Sequence, residues 1–117
     1  MILRALYLTL AAPLIGAACV GGDASHRVEY RNTTNVPINV YPDSKTPTNT
    51  HSIAPGETYE DQWVVPAVWS GRRSGPTRQV EAKGEDGVRI FCHRYNYEEL
   101  DRISWVIQIE RRDDCAS

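Results

Sequence analysis

An all-β domain, a small antiparallel β-sandwich with one short helix before the last strand, is the fold that the sequence predicts. Three observations carry this. Between residues 26 and 110 apolar side chains recur with a period of two in short runs. The runs are separated by turn chemistry at Thr33-Thr34-Asn35, Pro55-Gly56 and Asp86-Gly87. Helix-start chemistry is concentrated in one short segment at Asn96. With 117 residues and 41% apolar content, the chain can fill one core of this kind but not two.

Taken in order, residues 27–32 alternate Val28 and Tyr30 with Arg27, Glu29 and Arg31, the pattern of a half-buried strand. After the Thr33-Thr34-Asn35 turn, Val36, Ile38 and Val40 form a second apolar face. Pro37 lacks a ladder donor, so this strand is expected at an edge or to start at the proline. Residues 42–49, rich in Pro, Asp, Ser, Thr and Asn, read as a solvated loop. Pro55-Gly56 then makes a turn, with proline presetting φ and glycine supplying a positive φ. Residues 58–65 are the next strand. Residues 77–83 and 88–95 flank Gly84-Glu85-Asp86-Gly87, whose Asp-Gly pair is a strong hairpin signal. Asn96 followed three residues later by Glu99 fits a capping box, with Tyr95 and Leu100 placed as a hydrophobic staple. The last run, 103–110, sets Ile103, Trp105, Ile107 and Ile109 on one face and is expected to form the centre of the core.

The first 18 residues have the shape of an export signal: Arg4 and the amino terminus precede a 14-residue apolar run, 5–18, interrupted only by Thr9. Such a run spans about 21 Å as a helix, short of the roughly 30 Å hydrocarbon core of a bilayer. Pro13 and Gly16 weaken it further, so a cleaved leader is expected in place of a membrane span. Ala17-Ala18-Cys19 followed by Gly21-Gly22 resembles the lipobox of bacterial lipoproteins, although Gly16 stands where that motif has a bulky aliphatic residue. The resemblance implies lipidation of Cys19, which becomes the first residue of the mature chain at the extracytoplasmic face of a membrane. On this reading residues 1–18 are the signal peptide, 19–25 a flexible tether and 26–117 the β-sandwich domain. The alternative is an ordinary secretory signal cut after Ala18 or Ala24, releasing a soluble protein.

The first hairpin and the Ile53-Ala54-Pro55-Gly56-Glu57-Thr58 turn resemble small bacterial immunoglobulin-like β-sandwich domains. That resemblance implies the sandwich and transfers no catalytic residue, because such domains share pattern without shared function.

Assigning Cys19 to lipid leaves Cys92 and Cys115, an even pair that in an exported chain invites a disulfide. Strand register opposes it. If 88–95 pairs antiparallel with 103–110, Cys92 lies opposite Val106 and Cys115 lies nine residues further along. That is about 30 Å, where a disulfide needs Cα atoms within about 7 Å. The expectation is that Cys92 is a buried thiol in phase with Val88 and Ile90, the bridge being the less favoured alternative.

Thirteen basic against 15 acidic side chains give a formal charge of -2, so no global basic field is available to hold nucleic acid. His26, His51 and His93 lack metal-ligand spacing, and adjacent Cys92 and His93 point to opposite faces of a strand. No metal or cofactor is expected. In Gly71-Arg72-Arg73-Ser74-Gly75 the serine is fourth where a nucleophile elbow needs it third. The most informative polar stretch is 63–78, where Trp63 and Trp69 bracket Pro66 and Arg72, Arg73 and Arg78 follow. Trp69, Arg72, Arg73 and Arg78 form a candidate ligand surface for sugar rings or anionic envelope polymers, through stacking and bidentate contacts. The competing reading puts Trp63 in the core, Trp69 over one end of the sandwich and the arginines in solvent. The functional expectation is a lipid-anchored, non-catalytic binding or structural module of the cell envelope, contacting the membrane through Cys19 and an envelope polymer or protein through its surface. A soluble secreted interaction protein and a small envelope enzyme are the alternatives.

Overall fold

Alternating apolar residues fold into two facing sheets in the computed structural model, which describes residues 24–115. Cys19 and the leader therefore lie outside the described residues. The strands are β1 (Ala24–Asn32), β2 (Ile38–Tyr41), β3 (His51–Ile53), β4 (Thr58–Val65), β5 (Thr77–Gly84), β6 (Arg89–Asn96), β7 (Val106–Ile109) and β8 (Arg112–Asp113). Single helical turns, α1 (Ala67–Gly71) and α2 (Tyr97–Arg102), follow β4 and β6. One sheet has the order β4-β1-β7 and the other β3-β2-β5-β6-β8, so the domain is a small all-β sandwich. Two of its strand pairs, β1 with β7 and β6 with β8, are parallel.

The period-two pattern explains the burial. Val28, Tyr30 and Asn32 of β1 face inward, opposed by Ile38 and Val40 of β2 and by Val80 and Ala82 of β5. β1 opens at Ala24, inside the segment assigned to the tether, and runs antiparallel to β4 with Ala24 beside Val65 and Arg31 beside Thr58. β2 lies between β3 and β5, so Pro37 marks a strand start and not an edge. The two expected glycine turns form with positive φ, 76° at Gly56 and 81° at Gly87, where a Cβ would be strained. At α2 the Asn96 side chain accepts from the Glu99 backbone N–H at 2.8 Å, while Tyr95 and Leu100 are both buried.

The expected strand 103–110 is shorter than the pattern implied. Ser104 and Trp105 have φ of 57° and 59°, a left-handed pair that breaks the alternation, and β7 begins only at Val106. The Trp105 N–H donates to the Leu100 carbonyl at 2.8 Å and its indole to Asp101 at 2.9 Å, which holds this turn. Trp105, Ile107 and Ile109 remain buried, but Ile103 is only half-buried beside the core.

This turn also overturns the cysteine expectation. α2 and the left-handed pair carry the chain across to the other sheet, where β7 pairs with β1 and not with β6. The chain then returns, and β8 runs parallel to β6 with Asp113 beside Cys92. Cys92 and Cys115 form a disulfide with Cα atoms 5.6 Å apart. Val88 is exposed, so Cys92 is buried by the returning C-terminal segment and not by sharing a phase with Val88. In the chain-entropy description a bridge closing a loop of this length stabilises by about 3 kcal/mol.

Candidate functional site

At the end of the sandwich where β1 begins, four segments converge: the end of β4, α1, the loop into β5, and α2. The antiparallel β1–β4 register requires this, since it sets the start of one strand against the finish of the other. Pro66 forces the chain out of β4, and α1 folds Trp69 back over the core. The Trp69 indole donates to the Pro76 carbonyl, tying α1 to the start of β5. Trp63 lies beneath, its ring centroid 6.5 Å from that of Trp69, and donates to the Tyr30 hydroxyl at 2.7 Å.

Arg78 seals these rings. Its guanidinium carbon lies 4.3 Å from the Trp63 centroid and 5.7 Å from that of Trp69, within cation–π range. Asp43, from the loop after β2, approaches it at 3.9 Å. Beside this stack is an open cleft of about 550 Å³, lined by Trp69, Pro66, Val68 and Pro76 on its apolar side and by Lys45, Arg78 and Arg94 on its basic side. Asp43 is the one carboxylate in the lining, so a chain of net charge -2 carries a locally cationic cleft. Arg94 donates to the neutral Gln79 amide at 3.0 Å.

Of the residues predicted as a ligand surface, the fold brings Trp69 and Arg78 together in this cleft and separates the other two from it. Arg72 caps α1 through its backbone N–H and is exposed outside the cleft lining. Arg73 turns to α2, where it pairs with Asp101 at 2.6 Å and covers the Tyr97 ring at 4.8 Å. The Trp105 indole and then the Arg73 guanidinium hold the Asp101 carboxyl below the usual carboxylate range. Sequence reasoning missed Lys45 and Arg94. Lys45 sits in a loop with no periodic signal, and Arg94 becomes visible only once β5–β6 register sets it beside Gln79.

The histidines occupy packed positions. His26 stacks on Trp105 at 4.0 Å, and His51 stacks on Tyr59 at 4.3 Å with its Nε2 buried and 3.3 Å from Asp61, outside hydrogen-bond geometry. His93 lies between Glu99 and Asp114, at 2.7 and 2.9 Å. Cys92, Asp113 and Cys115 are close enough to act as a metal donor set, but the disulfide occupies both sulfurs. Neither a family model nor a curated protein nor a solved structure matches the chain.

Proposed function

We propose that this protein is an exported lipoprotein, anchored through Cys19, whose β-sandwich is a non-catalytic binding module of the cell envelope. The observation that carries the reading is the Cys92–Cys115 disulfide behind an export-shaped leader. Disulfides persist in oxidising compartments outside the cytoplasm, so the bridge and the leader point to the same place independently. Lipidation follows from the placement of Cys19 after Ala17-Ala18, and the cleft beside Trp69 supports a binding role. A stacked indole, an apolar wall and three cationic side chains suit an anionic or sugar-bearing partner.

Mass spectrometry of the mature N-terminus, together with fractionation of a Cys19→Ser variant, tests the anchor. The expected outcome is an acyl-modified Cys19 and loss of the variant from the membrane fraction. An unmodified Cys19, or a mature chain starting at Ser25, overturns the lipoprotein reading in favour of a soluble secreted protein.

A further inference from the structure

The start of β1, to which the tether from Cys19 leads, and the cleft lie at the same end of the domain. Only five Cα-to-Cα steps separate Cys19 from Ala24, the first residue of β1. Fully extended, they span at most about 18 Å. The far end of β1 lies about 26 Å further away along the strand. A chain anchored at Cys19 therefore holds the Ala24 end of the sandwich close to the bilayer.

The groups exposed at that end suit a lipid surface. Val64 and Val68 are exposed at 63% and 61%, among the few large apolar side chains in the described chain left in solvent, and Pro66 is exposed between them. Ala24 pairs with Val65 and Ser25 with Val64, which places these residues beside the start of β1. Lys45 and Arg72 are exposed nearby, their side chains in no ion pair among the described residues, although the Lys45 backbone N–H donates to Asp43 at 3.0 Å, and Arg78 and Arg94 line the cleft. Arg73 and Arg102 are offset by Asp101 and Glu98. The opposite end has the reverse charge, with Glu57, Glu85, Asp86 and Glu110 exposed in its turns and Arg111 among them, while Val88 is exposed there at 57%. Charge thus runs along the axis that the tether orients, and the Ala24 end combines its unpaired cations with the two most exposed valines.

The geometry points to the Ala24 end as a membrane-docking surface, in which Val64 and Val68 contact the leaflet while Lys45, Arg72, Arg78 and Arg94 engage the phosphates of anionic lipid headgroups. This rests on lipidation of Cys19 and names the partner of the Trp69 cleft. Each basic side chain near an anionic leaflet strengthens attraction by about fivefold. The attraction is screened beyond a Debye length, roughly 8 to 10 Å at physiological salt, so only this end of the domain experiences it.

Hydrogen–deuterium exchange on the lipidated protein tests the inference. The protein is reconstituted into neutral phosphatidylcholine vesicles, into vesicles containing phosphatidylglycerol, and into detergent. The expected result is slower exchange at residues 43–45 and 66–76 in the anionic vesicles alone, with residues 84–87 unchanged. Lys45→Glu combined with Arg72→Glu, both exposed and outside the core, is expected to abolish the protection, and raising the salt is expected to weaken it. Val64→Ser with Val68→Ser is expected to reduce it without changing urea stability. Equal exchange in all three settings, with Cys19 shown by mass to be acylated, overturns the docking surface and leaves the anchor standing. An unmodified Cys19 overturns both. Protection by isolated envelope polymer in detergent, without protection by anionic vesicles, replaces the membrane with the polymer as the occupant.

Discussion

At the end of the sandwich where β1 finishes, one buried amide holds the chain, whereas where β1 starts the closure is made by rings and guanidiniums. Asn32 is 1% exposed, and its side-chain N–H groups donate to the carbonyls of Val36 and Ile53 at 2.8 and 3.1 Å. Its oxygen accepts from the backbone and hydroxyl of Thr34 at 2.9 and 2.6 Å. That amide has no spare capacity, and its links to the β1 turn and to β3 join the two sheets. At the other end Arg78 rests its face on two tryptophans with Asp43 3.9 Å away and Arg94 meets only a neutral amide, so the Arg94 guanidinium remains available to a partner. A saturated hydrogen-bond knot makes an inert end, and an aromatic stack capped by arginine leaves unspent charge.

Truncating each closure sharpens this contrast. Trp63→Ala removes a buried indole, the seat of Arg78 and the donor to Tyr30, and is expected to cost about 3 to 5 kcal/mol in urea unfolding. Asn32→Ala removes the side-chain partners of the Ile53 carbonyl and the Thr34 N–H and leaves the Val36 carbonyl to the Thr34 hydroxyl alone, with an expected cost of about 2 to 3 kcal/mol. The two variants should differ in kind as well as in size. Loss of Trp63 reshapes the Trp69 cleft, while loss of Asn32 leaves that cleft intact and loosens the β1–β2 turn in amide exchange. Equal loosening at both ends in either variant would break the comparison.

How far each end was legible follows from the sequence separation of its contacts. At the amide-closed end the Asn32 bond to Ile53 and the Thr33 bond to Ile109 carry no local signal. That end also has a local part that was legible, in which Asn32 bonds Thr34 and Val36 and the Gly56 and Gly87 turns carry their own signals. The strands at β1, β4, β5 and β6, and the Asn96 cap, were legible for the same reason. The arginine-capped end joins residues distant in sequence, such as Trp63 with Tyr30 and Arg73 with Asp101. No local pattern announces those meetings, which is why Arg72 and Arg73 were grouped with Arg78 and Lys45 was overlooked. The disulfide failed to emerge for a sharper reason. Alternation in 103–109 looked continuous, and two left-handed residues, Ser104 and Trp105, redirect the chain without disturbing the spacing of apolar letters.

Tyr30 lies between the two ends and gives the finest test. Its hydroxyl accepts from the Trp63 indole at 2.7 Å and donates to Asp61 at 3.0 Å. Burial, and then the negative charge of Asp61, push its phenol well above the ordinary value of 10.0. Burial does the same to Tyr95, with Glu99 adding to it. In the unfolded chain both phenols lose their protons near pH 10, while in the folded protein they keep them, so above that pH the unfolded state binds fewer protons. Stability is therefore complete below pH 10 and falls as pH rises, by up to about 1.4 kcal/mol per pH unit for each tyrosine. Tyr30→Phe is expected to cost about 1 to 2 kcal/mol at pH 7, because the Trp63 indole loses its acceptor. The same change removes one of the two alkaline slopes, so the variant's deficit should shrink above pH 10 and close near pH 11 in urea melts taken along a pH series. A constant deficit across that range would mean that Tyr30 ionises in the folded state as readily as in the unfolded one. It would also mean that the core between the two ends is wetter than its burial implies.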